Sequence, residues 1–137
     1  MNVESIARIC YETNRVFCQV THDAVPPEWS EAPQAVRDGY CTGVQFRLKN
    51  PMAPAAAQHD LWCETKLSEG WCRGPVKSEE LREHPNLVPY QALPLTQRMK
   101  DTMFKNTVIA MAPLYRAACL QDEQSAKESA HLEQTPA

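Results

Sequence analysis

Proline placement is the strongest constraint this sequence sets on its fold. Nine of its 11 prolines, all but Pro113 and Pro136, are gathered between or at the starts of four segments of helical character, where a missing N–H and a fixed φ do no harm. The first segment, Val3 to about Val20, repeats Val3, Ile6, Cys10, Phe17 and Cys18 at helical spacing, with Asn2 placed to cap it. Asn14 falls on the same stripe, and a buried asparagine needs a partner, expected in a neighbouring loop. The proline-rich connection "THDAVPPEWSEAPQ" follows, with Trp29 read as a lid over the core. Ser30 is placed to cap a second helix with Pro33 in its first turn, and Val36, Tyr40, Val44 and Leu48 recur at every fourth residue. Asn50-Pro51 ends that helix.

A third helix is expected over Ala55 to Glu69, with Gly70 as the residue that turns the chain out of it. Its apolar side reads His59, Trp62, Cys63, Lys66 and Leu67. A lysine inside such a stripe has to reach solvent or meet an anion. "WCRGPVK" and "PNLVPY" read as short extended segments that pair in a two-stranded ribbon. The fourth helix starts near Pro94 and carries Phe104, Val108 and Met111 at core spacing, with Arg98, Asp101 and Lys105 as a charge ladder on another side. Pro113 is expected to kink or end it, with at most a short further turn through Leu114 to Leu120. "QDEQSAKESAHLEQTPA" has almost no large apolar residues, so 121–137 is expected to be a disordered tail behind a domain of residues 1–120. The fold class is therefore α+β and mostly helical, with about four helices and a small ribbon.

Charge and composition narrow the function. Fourteen basic against 17 acidic side chains, a net charge of −3, give no general reason to bind nucleic acid or an anionic membrane. No apolar run approaches bilayer length and the start of the chain is too polar for a signal peptide, so a cytoplasmic protein is expected. The six cysteines form no CxxC pair and read as structural thiols. The four histidines show no metal spacing, and GxSxG, P-loop and GxGxxG motifs are absent. No catalytic residue, metal or cofactor is implied, and a non-enzyme is expected.

One aromatic and cationic set stands out: His59, Trp62, Lys66, Trp71, Lys77, His84, Tyr90, Arg98 and Lys100, with Arg73 nearby. Indoles offer flat faces for a purine, and lysines and arginines supply donors to phosphate. The same residues have plainer readings: Trp62 and Trp71 as core, His84 before a proline as a turn histidine, Arg98 as part of the solvated ladder. Both remain open at this level, but Lys66 fits a plain core helix poorly.

Four ordered blocks carry a resemblance. His59 and Trp62 match an H-x-x-W helix; Gly70, Trp71, Gly74 and Lys77 match G-W-x-Y-G-x-x-K-D; His84, Pro85, Leu87, Val88, Pro89 and Tyr90 match H-P-x-L-V-P-Y; and Leu93, Pro94, Arg98, Lys100, Asp101 and Phe104 match L-P-x-x-x-R-x-K-D-x-L-F. "IARICYETNRVFC" also looks like the opening of microbial single-copy members. The chain thus resembles the RyR domain, the ryanodine receptor repeat, in its single-copy bacterial or phage form, over about Val3 to Val108. Arg73 and Ser78 stand where the family pattern has tyrosine and aspartate, Asn86 where it has cysteine, and Tyr11 where it has histidine. The resemblance implies a small α+β helical domain that binds an adenine nucleotide or a nucleotide-derived signal of the ADP-ribose type. Trp62 would stack on the ligand, in a sensor or sink used in phage–host conflict. Because the receptors carry the repeat in tandem, it also implies a homodimer. The alternatives are a protein–protein interaction module without a small ligand, and an enzyme acting on nucleotide-derived signals.

Overall fold

The computed structural model describes residues 1–134. Helix α1 spans Val3–Val20, and Asn2 caps it by accepting the Ser5 N–H at 2.8 Å. A single 3₁₀ turn, Trp29–Glu31, precedes α2, Gln34–Lys49. The expected Ser30 cap is not formed: Ser30 sits inside the 3₁₀ turn, and Pro33 takes the cap position with no side-chain bond. Helix α3 covers Ala55–Ser68, β1 Cys72–Arg73 and β2 Glu83–His84, followed by a 3₁₀ turn at Tyr90–Ala92 and α4, Leu95–Gln134. The class is α+β and mostly helical, as the sequence predicts.

Helices α1, α2 and α4 enclose the core. Ile6, Ala7, Cys10 and Tyr11 of α1 meet Val44 of α2 and Val108 of α4, and Trp29 enters from the connection with 6% of its surface exposed. Its rings form a chain of edge contacts, Trp29 to Tyr11 at 5.5 Å, Tyr11 to Tyr40 at 5.2 Å and Tyr40 to Phe104 at 5.9 Å. The Tyr11 hydroxyl donates to the Pro27 carbonyl, and Glu12 Oε1 accepts the Trp29 N–H, so the proline-rich connection is tied down along α1. All six thiols are free; Cys10 is buried, and that burial pushes its pKa up to about 12. Asn14 finds its contact on its own helix, from the Cys18 thiol at 4.0 Å, and not in a loop.

Of the expected stripe on α2, Val44 is buried and Tyr40 and Leu48 pack against the core, and Val36 departs from it. Val36 is 40% exposed, and the buried positions are Gly43, Val44 and Arg47. Arg47 is fully buried, and its guanidinium donates to the carbonyls of Asn50, Ala53 and Pro54, which fixes the turn between α2 and α3.

The ribbon is parallel, with Cys72 opposite Glu83 and Arg73 opposite His84. Its second strand is therefore Glu83–His84 and not the expected "PNLVPY". A reversal at Ser78–Glu83, closed by reciprocal N–H···O bonds of 2.9 and 3.1 Å, sets the register earlier in the chain. A Cβ on Gly74 would stand 2.5 Å from the Cβ of Glu83, so glycine is needed for the two strands to approach.

Helix α4 does not stop at Pro113 but runs through it to Gln134, about 60 Å in length. Pro113 and Ile109 both face solvent, so the Ile109 carbonyl that loses its N–H partner can be hydrated. Of residues 121–137, expected to be disordered, 121–134 are thus helical, consistent with a run rich in Gln, Glu, Lys and Ala. Side chains 121–132 are all exposed, and 135–137 lie outside the described residues.

Candidate functional site

Helix α3 ends in a paired bond pattern in which the Gly70 N–H donates to Leu67 O and the Trp71 N–H to Lys66 O. Gly70 has φ of +87°, the left-handed conformation this ending requires. Arg82, at φ of +51°, reaches back and donates to the Glu69 carbonyl at 2.8 Å, covering the helix end. This closure turns Trp71 back onto α3 and sets the ribbon beside it.

The result is a second aromatic chain, separate from the core. His59 lies 6.1 Å from Tyr90 and stacks on Trp62 at 5.7 Å; Trp62 meets His84 edge-on at 4.9 Å; His84 lies 6.4 Å from Trp71. The Lys66 ammonium lies 4.6 Å from the centre of the Trp71 ring. Six of the nine expected site residues therefore come together: His59, Trp62, Lys66, Trp71, His84 and Tyr90.

The two histidines are held differently. His59 is buried, with Nε2 at 2.7 Å from the Val88 carbonyl, so that nitrogen carries the proton; the Cys63 thiol sits 3.3 Å from the same atom. His84 accepts the Asn86 N–H on Nδ1 at 3.1 Å, which leaves Nε2–H as its donor. Burial holds the His84 pKa below its ordinary value, and the positive charges of Lys77 and Lys66 push it the same way. The ring is a neutral donor facing two cations.

The remaining three residues stand apart. Lys77 is exposed and pairs loosely with Glu79 at 3.8 Å, reaching the cluster only through its field on His84. Lys100 is taken by Asp23 at 3.1 Å, an ion pair that ties α4 to the end of α1. Arg98 is half-buried, with its Nε inaccessible and unpartnered. The expected ladder of Arg98, Asp101 and Lys105 makes no ion pair among the described residues. Asp101 is instead half-buried, and burial raises its pKa to about 6 against the pull of His59 and Lys100.

Exposure separates the two tryptophans. Trp71 is 8% exposed and forms a packed corner between α3 and the ribbon, whereas Trp62 is half-buried and keeps part of its indole at the surface. A shallow depression lined by Arg73, Gly74, Pro75 and Pro85 lies beside this corner. Among the described residues no group of three or more His, Cys, Asp or Glu side chains is arranged to hold a metal ion, and no helix is long and apolar enough to cross a membrane.

Sequence reasoning did not mark Asp101 as part of this region, although it stands in the "RMKD" block next to Lys100. It also missed Arg47, for which spacing gave no signal. Residues 47–114 match the family model of the RyR domain, a span that begins at Arg47 and includes α3, the ribbon, and α4 as far as Leu114.

Proposed function

This chain belongs to the RyR domain family, and on that premise we propose that it binds a phosphorylated, nucleotide-like small molecule without acting on it chemically. The observation that carries this reading is the aromatic chain of α3 and the ribbon, which ends in an ammonium with no carboxylate partner among the described residues. The partly exposed Trp62 indole supplies a face for an adenine ring. Lys66, held at the Trp71 face, and the Nε2–H of His84 supply donors to phosphate, with Lys77 adding a longer-range attraction. The family's single-copy members suggest a sensor or a sink for such a ligand in conflict between phage and host, and a two-fold pair of chains would restore the tandem arrangement of the receptors.

Calorimetric titration and thermal shift with ATP, ADP-ribose, cyclic ADP-ribose and cyclic dinucleotides test the reading. A ligand at 100 times its Kd should add ~2.7 kcal/mol of stability. Lys66→Met should weaken phosphorylated ligands while leaving the fold intact, and Trp62→Ala should lower affinity by roughly one to two orders of magnitude. Turnover of the bound compound would favour an enzyme. No shift with any of them would favour an interaction module, a reading supported by Leu67, Val76 and Leu81, which flank the ribbon at 60% to 67% exposure.

A further inference from the structure

The two faces of the ribbon differ in charge. In the parallel pairing Arg73 stands opposite His84 and Cys72 opposite Glu83, so Arg73 and His84 project from one face and Cys72 and Glu83 from the other. The Glu83 side chain runs against Gly74 on that second face, where a Cβ on the glycine would stand 2.8 Å from its carboxyl carbon. The acid of the ribbon is thus turned away from Arg73, and Glu79, in the reversal between the strands, pairs with Lys77 at 3.8 Å. Arg73 is exposed, and its side chain makes no ion pair or hydrogen bond among the described residues.

His84 joins Arg73 to the aromatic cluster. Its ring meets Trp62 edge-on at 4.9 Å, and the chain continues from it into Pro85, one wall of the shallow depression formed with Arg73, Gly74 and Pro75. Of these four lining residues Arg73 alone carries a side-chain donor. The Gly74 N–H is spent on the His84 carbonyl at 3.4 Å, and the prolines have none. A ligand lying across Trp62, His84 and Arg73 therefore meets, in order, an aromatic face, a neutral N–H donor and a guanidinium. Two departures from the family pattern act in the same sense. Arg73 replaces a tyrosine and Ser78 an aspartate, and each exchange makes the surroundings of the ribbon more positive.

Resting on the nucleotide-binding reading above, we propose that the ligand is a diphosphate and that Arg73 selects it: the first phosphoryl group meets His84 Nε2–H and the Lys66 ammonium, and the second meets the Arg73 guanidinium in the depression. A guanidinium can grip two oxygens of one phosphoryl group in parallel, which the tyrosine of the family pattern cannot do. The selection is therefore a property of this chain and not of the pattern it shares. A terminal second phosphate and one esterified to a sugar offer the same pair of oxygens, and a monophosphate offers none at that position.

Calorimetric titration of the full chain with AMP, ADP and ADP-ribose, in the wild type and in Arg73→Gln, tests the proposal. The wild type should bind at least one of the two diphosphates about tenfold or more tightly than AMP, as a charge-assisted contact provides. A preference for ADP assigns a terminal second phosphate and one for ADP-ribose an esterified one, and either supports the proposal. Arg73→Gln should bring all three compounds within about threefold of one another. Because the side chain has no partner to lose, that variant should keep the wild-type melting temperature. Equal affinities in the wild type would overturn the proposal, as would a preference that survives in Arg73→Gln or a fall in the melting temperature of that variant. Each of those results leaves nucleotide binding itself standing. Absence of binding by all three compounds would instead overturn the adenine-nucleotide reading, and the proposal with it.

Discussion

The molecule holds two chains of aromatic rings that differ in what surrounds them. Trp29, Tyr11, Tyr40 and Phe104 lie among aliphatic side chains of α1, α2 and α4, and the Tyr11 hydroxyl is tied to the Pro27 carbonyl, close in sequence to Trp29. Tyr90, His59, Trp62, His84 and Trp71 lie where α3 meets the ribbon and the turn that follows it, with two imidazoles and a lysine among them. The first group is insulated and serves stability. The second is mixed in polarity and partly open, and keeps titratable groups in contact with rings. Similar ring geometry thus does different work according to how much water and charge it admits.

The sharpest way to break this contrast is to truncate one ring from each group. Trp29→Ala should cost ~3–5 kcal/mol, because the indole is enclosed and the space it leaves cannot fill. Trp62→Ala should cost less than about 2 kcal/mol, because part of that ring already faces water. Equal losses in denaturant melts would show that the second group is simply more core.

The next effect is smaller and depends on pH. Asp101→Asn should raise stability by on the order of 1 kcal/mol at pH 8, discounted for the partial exposure of the carboxyl. The gain should shrink as pH falls through about 6 and vanish only well below the ordinary value of 3.8, where the wild-type group is protonated in both folded and unfolded chains. A constant difference across that range would mean that burial does not raise the Asp101 pKa as described.

The smallest effect concerns the outer half of α4. A chain ending at Leu120 should keep the melting temperature of the full chain, since side chains 121–132 bury nothing. A measurable drop would extend the insulated region along α4.

Much of this was legible from residue order. The α1 helix and its cap follow from Asn2 and a clean apolar stripe, and the turn at Gly70 follows from glycine after the last helical residue. Trp62, Lys66, Trp71 and His84 share a region because a helix, a reversing glycine and a short ribbon can only fold back one way. What stayed hidden has identifiable causes. Arg47 is charged, and spacing rules treat a charge as an outward position unless the carbonyls that will surround it are known. The second strand fell earlier than expected because the reversal at Ser78–Glu83, a tertiary feature, decides the pairing. Pro113 looked like a stop because the rule concerns the hydrogen bond, and here the orphaned carbonyl faces water. Helical spacing grouped Arg98, Asp101 and Lys105, but it could not show that Asp101 would be drawn inward and Lys100 claimed by Asp23.

The Arg47 fork has a consequence for how the chain tolerates change. By composition the stretch from Asn50 to Pro54 is where a protease would be expected to nick or an insertion to be absorbed: it is short, proline-rich and carries a methionine that is 90% exposed. Yet three of its five carbonyls are the hydrogen-bond partners of a cation that has no carboxylate beside it among the described residues. Cutting or lengthening that stretch would strand the guanidinium, and the damage would appear in the helices on either side of it before it appeared in the loop.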